Sequence, residues 1–208
     1  MSTKDKRSKA SARLKRRIQS AALRVLAEQG YSRVSMRKIA ARIGYSPTTI
    51  YRHFRNKEEL LRTIAADTYA ELTASFDKAR ARGGADPLDT LKALVREYVI
   101  FCAERPDMYR LYSELGSFEM EDGVLYERMG SRRYVVYQSW FRAIREATAS
   151  GALRVTDDMR VFLYLWDAVH GYIDHAIAQA PVPRRPLADD SADYLALVFR
   201  GIEARATH

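Results

Sequence analysis

Cysteine is nearly missing. Cys102 is the only one in 208 residues, so no disulfide can form within the chain, and a reducing, cytoplasmic setting is expected. No apolar run approaches the roughly 18 residues that a membrane-crossing helix needs. The basic N-terminus lacks the apolar stretch of a signal peptide, so neither membrane insertion nor export is expected. Histidine is scarce too. His170 and His175 fall on different faces of any helix, and Asp174 adds only a generic carboxylate, so no metal site is expected. Nothing in the spacing brings Cys102 to His170, and neither a nucleophile elbow nor a Gly-rich phosphate loop is present. No catalytic residue and no cofactor are expected.

Acidic residues are scarce in one region only. The first sixty residues hold four acids (Asp5, Glu28, Glu58, Glu59) against sixteen Lys/Arg, while the rest holds nineteen basic and twenty-two acidic residues. The net charge of +9 therefore comes from the N-terminal third alone, which points to a polyanion partner there. A membrane surface would also attract that charge. The segment lacks the strongly apolar opposite face of an interfacial helix, so no membrane partner is expected.

The stretch from Ser35 to Leu61, SMRKIAARIGYSPTTIYRHFRNKEELL, organises the chain. Met36, Ile39, Ala40 and Ile43 recur at helical steps and mark one apolar face. Gly44 can take the left-handed conformation that ends such a helix. Ser46 is a good N-cap for the next, and Pro47 at its first position has no N–H to leave unsatisfied. Ile50 and Phe54 lie one turn apart and inward. At about 100° per residue this turns Thr48, Thr49 and Arg52 outward, with Tyr51 and His53 on the flanks. Asn56 and Glu59 give a third helix a start resembling a capping box. Two short helices joined by a glycine turn make a helix-turn-helix, whose second helix can enter a major groove. The alternative is an ordinary helical hairpin with a solvated polar face.

Ahead of it, Leu14, Ile18, Ala21, Ala22, Val25 and Leu26 predict a helix over 11–29 that backs this motif, closed by Gly30. Arg13, Lys15, Arg16 and Arg17 crowd its positive dipole end, an unfavourable placement that a nearby anion would offset. Residues 1–10 are basic and without periodicity. They read as a disordered tail or as an arm adding phosphate or minor-groove contacts.

Gly30-Tyr31, Ser35 to Ala41, Gly44-Tyr45-Ser46, Thr49 to Phe54 and Lys57 to Leu61 together resemble the tetracycline-repressor (TetR) family of bacterial regulators, over about residues 12–62. The resemblance implies an all-α fold: a three-helix DNA-binding head over 11–61 and a helical effector-binding and dimerisation body over 62–208. It implies that Arg37 and the exposed face of the second helix (Thr48, Thr49, Arg52) reach bases, and that Tyr45, Ser46 and Pro47 at its start also bind DNA. Ser35, Tyr51, His53 and Lys57 would hold phosphates. The segment Trp166-Asp-Ala-Val-His170-Gly171 is also similar to a Trp-x-x-x-His-Gly pattern in one TetR subset.

Beyond the head, helical patterns are expected over about 56–82, 86–104, 108–115, 131–150, 156–180 and 188–206. Pro181 to Pro186 breaks any helix there, and no β-strand is apparent. The body is rich in aromatics. Tyr98, Phe101, Tyr112, Tyr137, Trp140, Phe141, Trp166 and His170 are candidates to line a pocket for an apolar or aromatic effector, and the alternative is that such rings simply fill a core. Phe162, Val169, Ile173, Tyr194, Leu195, Val198 and Ile202 on the last two helices are candidates for a homodimer interface; the alternative is that they close a monomer's core. A homodimer on pseudo-palindromic double-stranded operator DNA follows from the resemblance, because one recognition helix reads too few base pairs alone. The functional expectation is a ligand-released repressor. An activator, or an architectural DNA-binding protein that recruits a partner through its body, stays open.

Overall fold

The computed structural model describes residues 3–112, 132–177 and 187–204, with side chains over 5–112, 137–177 and 189–204. All regular elements among the described residues are helical, and none is long and apolar enough to cross a membrane. The chain forms two compact units, dividing inside one helix between Thr68 and Tyr69.

The first unit opens with α1 (Thr3–Gln29), followed by a 3-10 turn at Tyr31–Arg33, α2 (Met36–Ile43), α3 (Pro47–Tyr51) and the first part of α4 (Lys57–Arg82). Helix α6, seen over residues 106–112, joins this unit from Asp107 onward. Ile18, Ala22, Val25 and Leu26 of α1 pack with Ile39 and Ala40 of α2, Ile50 of α3, Phe54, and Leu60 and Leu61 of α4. A fully buried Ile such as Ile50 stabilises the unit by about 1.5–3 kcal/mol. Near the division, Thr68 Oγ1 donates back to the Ile64 carbonyl at 3.1 Å and touches Met108 Sδ at 3.7 Å.

Local chemistry fixes the boundaries. Ser35 Oγ accepts from Lys38 N to start α2, and Gly44 at φ 71° ends it. Asn56 Oδ1 accepts from Glu59 N at 2.8 Å to start α4. The reciprocal bond differs from a standard capping box, because Glu59 accepts from the N–H of Arg55, not that of Asn56.

The second unit holds the rest of α4 with α5 (Pro87–Glu104), α7 (Arg132–Ala149), α8 (Asp158–Ile177) and α9 (Leu187–Arg200). Leu91, Leu94, Val95 and Val99 of α5 face Trp140 and Ile144 of α7, Leu165 and Val169 of α8, and Leu195 and Phe199 of α9 within one core. Asp86 starts α5 by accepting from Leu88 N at 2.7 Å, ahead of Pro87.

Three expectations change. Helix α1 begins at Thr3, so 3–10 are helix, not tail. Lys, Arg and Ala are good helix formers and extend a helix that Ile18 and its neighbours already anchor. Asp157, not Thr156, starts α8, since its carboxylate accepts from Arg160 N at 3.1 Å. The last helix ends at Arg200, short of 206, because Arg154 N bonds Ile202 O and Ala204 N bonds Ala152 O, both at 2.9 Å, pulling 202–204 into an antiparallel bridge with 152–154. The Pro181–Pro186 break and the residues after Leu111 expected to extend the short helix to 115 lie partly or wholly outside the described residues.

Candidate nucleic-acid interface

Helix α3 is five residues long, too short to persist alone, and its surroundings hold it. Ser46 Oγ accepts from Thr49 N at 3.3 Å and lies 3.0 Å from Thr49 Oγ1, Pro47 occupies the first position, and Ile50 is sealed in the core. The burial of Ile50 fixes the rotation of the helix. Thr48, Tyr51 and Arg52 are then exposed, and Thr49 and His53 half-buried. Thr49 has its hydroxyl in the cap, 3.0 Å from Ser46 Oγ.

Around this helix lie the other expected residues. Arg37 is exposed on the first turn of α2, Ser35 is its cap, and Tyr45 stands exposed in the turn. Lys57, half-buried, lies with Nζ 4.3 Å from the Tyr31 ring centroid. That cation–π contact holds the ammonium at the start of α4. Arg42 makes a two-armed pair with Glu28, one arm at 2.6 Å, and this hydrogen-bonded guanidinium holds the Glu28 carboxyl below its ordinary range. The face is thus hydroxyls and cations on a rigid frame, the chemistry of phosphate positioning and base-edge contact. Two contacts were not legible in the sequence. Lys15 lies over the Phe54 ring and Arg17 over Tyr45.

The expected pocket residues separate in the structure. Tyr98, Tyr137, Trp140, Phe141, Trp166 and His170 form one aromatic cluster in the second unit, joined by Phe162, which stacks on Phe141 at 4.5 Å and on Trp166 at 5.5 Å. Phe162, expected in a dimer seam, is half-buried and packs with these rings. Phe101 is buried elsewhere, under Arg105 at 4.1 Å, and Tyr112 lies in the first unit with its hydroxyl toward Ala65 O at 3.5 Å. Phe101 stays outside the cluster. His170 links to Tyr98 Oη at 3.1 Å through Nε2 and to Trp166 O at 3.0 Å through Nδ1. Burial pushes the Tyr98 phenol well up and the Cys102 thiol, hydrogen-bonded to it, up to about 12. Trp140 is sealed among these rings, and its indole N–H has no hydrogen-bond partner among the described residues.

The last two helices also sort by burial. Val169, Ile173, Leu195 and Ile202 are buried within the chain itself. Tyr194 is half-buried, stacks on Tyr172 and donates to Ala168 O at 2.9 Å, and Val198 is half-buried. The large apolar side chains that face outward are instead Met159, Leu163 and Tyr164 on α8 and Leu197, 65% exposed, on α9.

The family model described as bacterial regulatory proteins, tetR family, matches residues 18–64. An HTH-type transcriptional regulator of Mycobacterium tuberculosis is 28% identical over 157 residues, covering 74% of this chain and 65% of that protein. A Mycobacterium bovis counterpart matches to the same extent. The chain thus spans just under two thirds of the length of these curated relatives. Among solved structures, a TetR family transcription regulator from Marinobacter aquaeolei superimposes with a TM-score of 0.74 at 16% identity, covering 97% of this chain and all of that one. The ketosteroid transcriptional regulator KstR2 of Mycobacterium tuberculosis gives 0.73 at 20% identity, over 91% and 96% of the two chains. At such identities these structures share the fold, an all-helical one with a helix-turn-helix head.

Proposed function

We propose that this chain, a member of the tetR family of bacterial regulatory proteins by its N-terminal head, is a homodimeric, sequence-specific transcription regulator that releases a pseudo-palindromic operator when a small molecule binds its second unit. The observation that carries the reading is the face of α3. Ile50 and the Ser46 cap lock a helix whose outward side is Thr48, Tyr51 and Arg52, inside a segment holding sixteen basic and four acidic residues. Arg37, Thr48, Thr49 and Arg52 meet base edges, while Ser35, Tyr45, Ser46, Tyr51, His53 and Lys57 position the backbone.

The second unit supports an effector of apolar or aromatic character bearing one hydrogen-bond acceptor. Its aromatic cluster offers ring faces, and the Trp140 N–H, buried and without a partner among the described residues, offers a donor whose isolation is unfavourable by about 1–3 kcal/mol. Helix α4, which supplies residues to both units, is the coupling element, and the effector acts by favouring one arrangement of the heads over another. The exposed side chains on α8 and α9 support pairing with a second copy.

Selection of bound sequences from a random duplex pool tests the central claim. A two-fold-symmetric site with half-sites about one DNA turn apart is expected. Enrichment of no sequence, with tight binding to all, would favour the architectural reading and refute this one.

A further inference from the structure

The positive charge of the head is not spread evenly. Arg13, Arg16, Arg17 and Arg24 of α1, with Arg42 at the end of α2, line an open cleft of about 440 Å³, and none of its lining residues is acidic. Glu28 answers Arg42 and lies close enough to Arg24 to feel its charge. Among the described residues, Arg13, Arg16 and Arg17 make no ion pair. Like charges three and four residues apart on one helix face repel. The segment before Ile18 also buries little: Asp5 to Arg13 are exposed and Leu14 is half-buried. A helical stretch of that length is marginal in water without a packing face.

Arg17 joins this cleft to the reading face. Its Nη2 donates to the Ile43 carbonyl at 3.1 Å, and its guanidinium lies 5.3 Å from the centroid of Tyr45, the residue before the Ser46 cap. The length of the row decides what it holds. Arg13 to Arg24 spans eleven helical steps, roughly 16 Å at about 1.5 Å each. A single small anion cannot bridge that distance. A DNA strand, which carries one charge per about 3.4 Å of duplex axis, presents more than one phosphate over that length.

The geometry points to the arginine cleft of α1 as a second DNA-backbone contact, gripping the strand that flanks the groove entered by α3. This rests on the DNA-binding reading above. It adds a sequence-independent share of affinity that the recognition helix does not supply.

The test compares wild type, Arg13→Gln/Arg16→Gln and Arg13→Lys/Arg16→Lys on a mixed-sequence duplex over a salt series, with circular dichroism as the folding check. The glutamine pair should bind with a log K against log salt slope shallower by about two units, since each lost phosphate contact removes about 0.9. The affinity loss should be roughly eight-fold per contact at about 0.1 M salt, equal on any sequence. The lysine pair, which keeps the charges, should retain the wild-type slope. An unchanged slope in a folded glutamine pair overturns the assignment while leaving the regulator reading intact. Inorganic pyrophosphate that stabilises the wild type without competing with DNA assigns the cleft to a free anion and also overturns it. A wild type that binds no duplex sinks both readings together.

Discussion

Ser46→Ala isolates how much of DNA binding depends on the rigidity of α3. The side chain accepts from Thr49 N at 3.3 Å and meets Thr49 Oγ1 at 3.0 Å, so the substitution frees the Thr49 N–H and removes the contact between the two hydroxyls in a helix of five residues. Losing such a cap costs about 1 kcal/mol, and replacement by glycine only a few tenths. Because Ile50 and Phe54 anchor the following turn, the cost should fall on the start of α3 and leave the unit folded. Where binding requires a formed α3, about 1 kcal/mol appears as a roughly five-fold weaker Kd. Ser46 is exposed beside the recognition face, so a direct phosphate contact must be separated from capping. Ser46→Asp does so: aspartate caps as well as serine, but its charge repels a phosphate. Fluorescence anisotropy on a selected operator, with urea denaturation in parallel, should rank affinity as wild type, then Gly, then Ala. Asp should be as stable as wild type yet weaker on every sequence. Wild-type affinity in Ser46→Ala would refute the reasoning.

Arg37→Ala should alter which operator variants are preferred, at about 1–3 kcal/mol for a base contact, while Lys57→Ala should weaken all duplexes alike. Equal losses on selected and scrambled DNA for both variants would remove Arg37 from base reading. Leu163→Glu with Leu197→Glu should convert a dimer to a folded monomer in sedimentation, because both side chains face outward, whereas Leu195→Asp should unfold the chain. A folded dimer carrying both charges would place the seam elsewhere. Trp140→Phe, which keeps a ring but removes the buried indole N–H, should weaken effector binding in a folded protein; unchanged binding would remove that donor from the effector site. Cys102, buried and with its thiol held protonated up to about 12, should resist alkylation at pH 8 and react only on unfolding. Rapid labelling of the native protein would contradict that burial.

The head was legible because its signals are local. The caps at Ser46 and Asn56, the left-handed Gly44 and the step between Ile50 and Phe54 each act within a turn or two, so the sequence alone sets the end of α2, α3 and the start of α4, and with them the outward face. Charge position was equally plain, since counting needs no geometry. What lay beyond the sequence was which of several apolar residues on one helix faces which neighbour. Val169, Ile173, Leu195 and Ile202 carry the same pattern as Leu163 and Leu197, yet the first four are enclosed and the last two exposed, because α5 and α7 cover only one side of α8 and α9. For the same reason Phe162 joins the aromatic cluster while Phe101 does not. The early end of α9 depends on two backbone bonds to 152–154, some fifty residues away in the chain. Periodicity reports that a side chain is to be covered; only the tertiary packing decides by what.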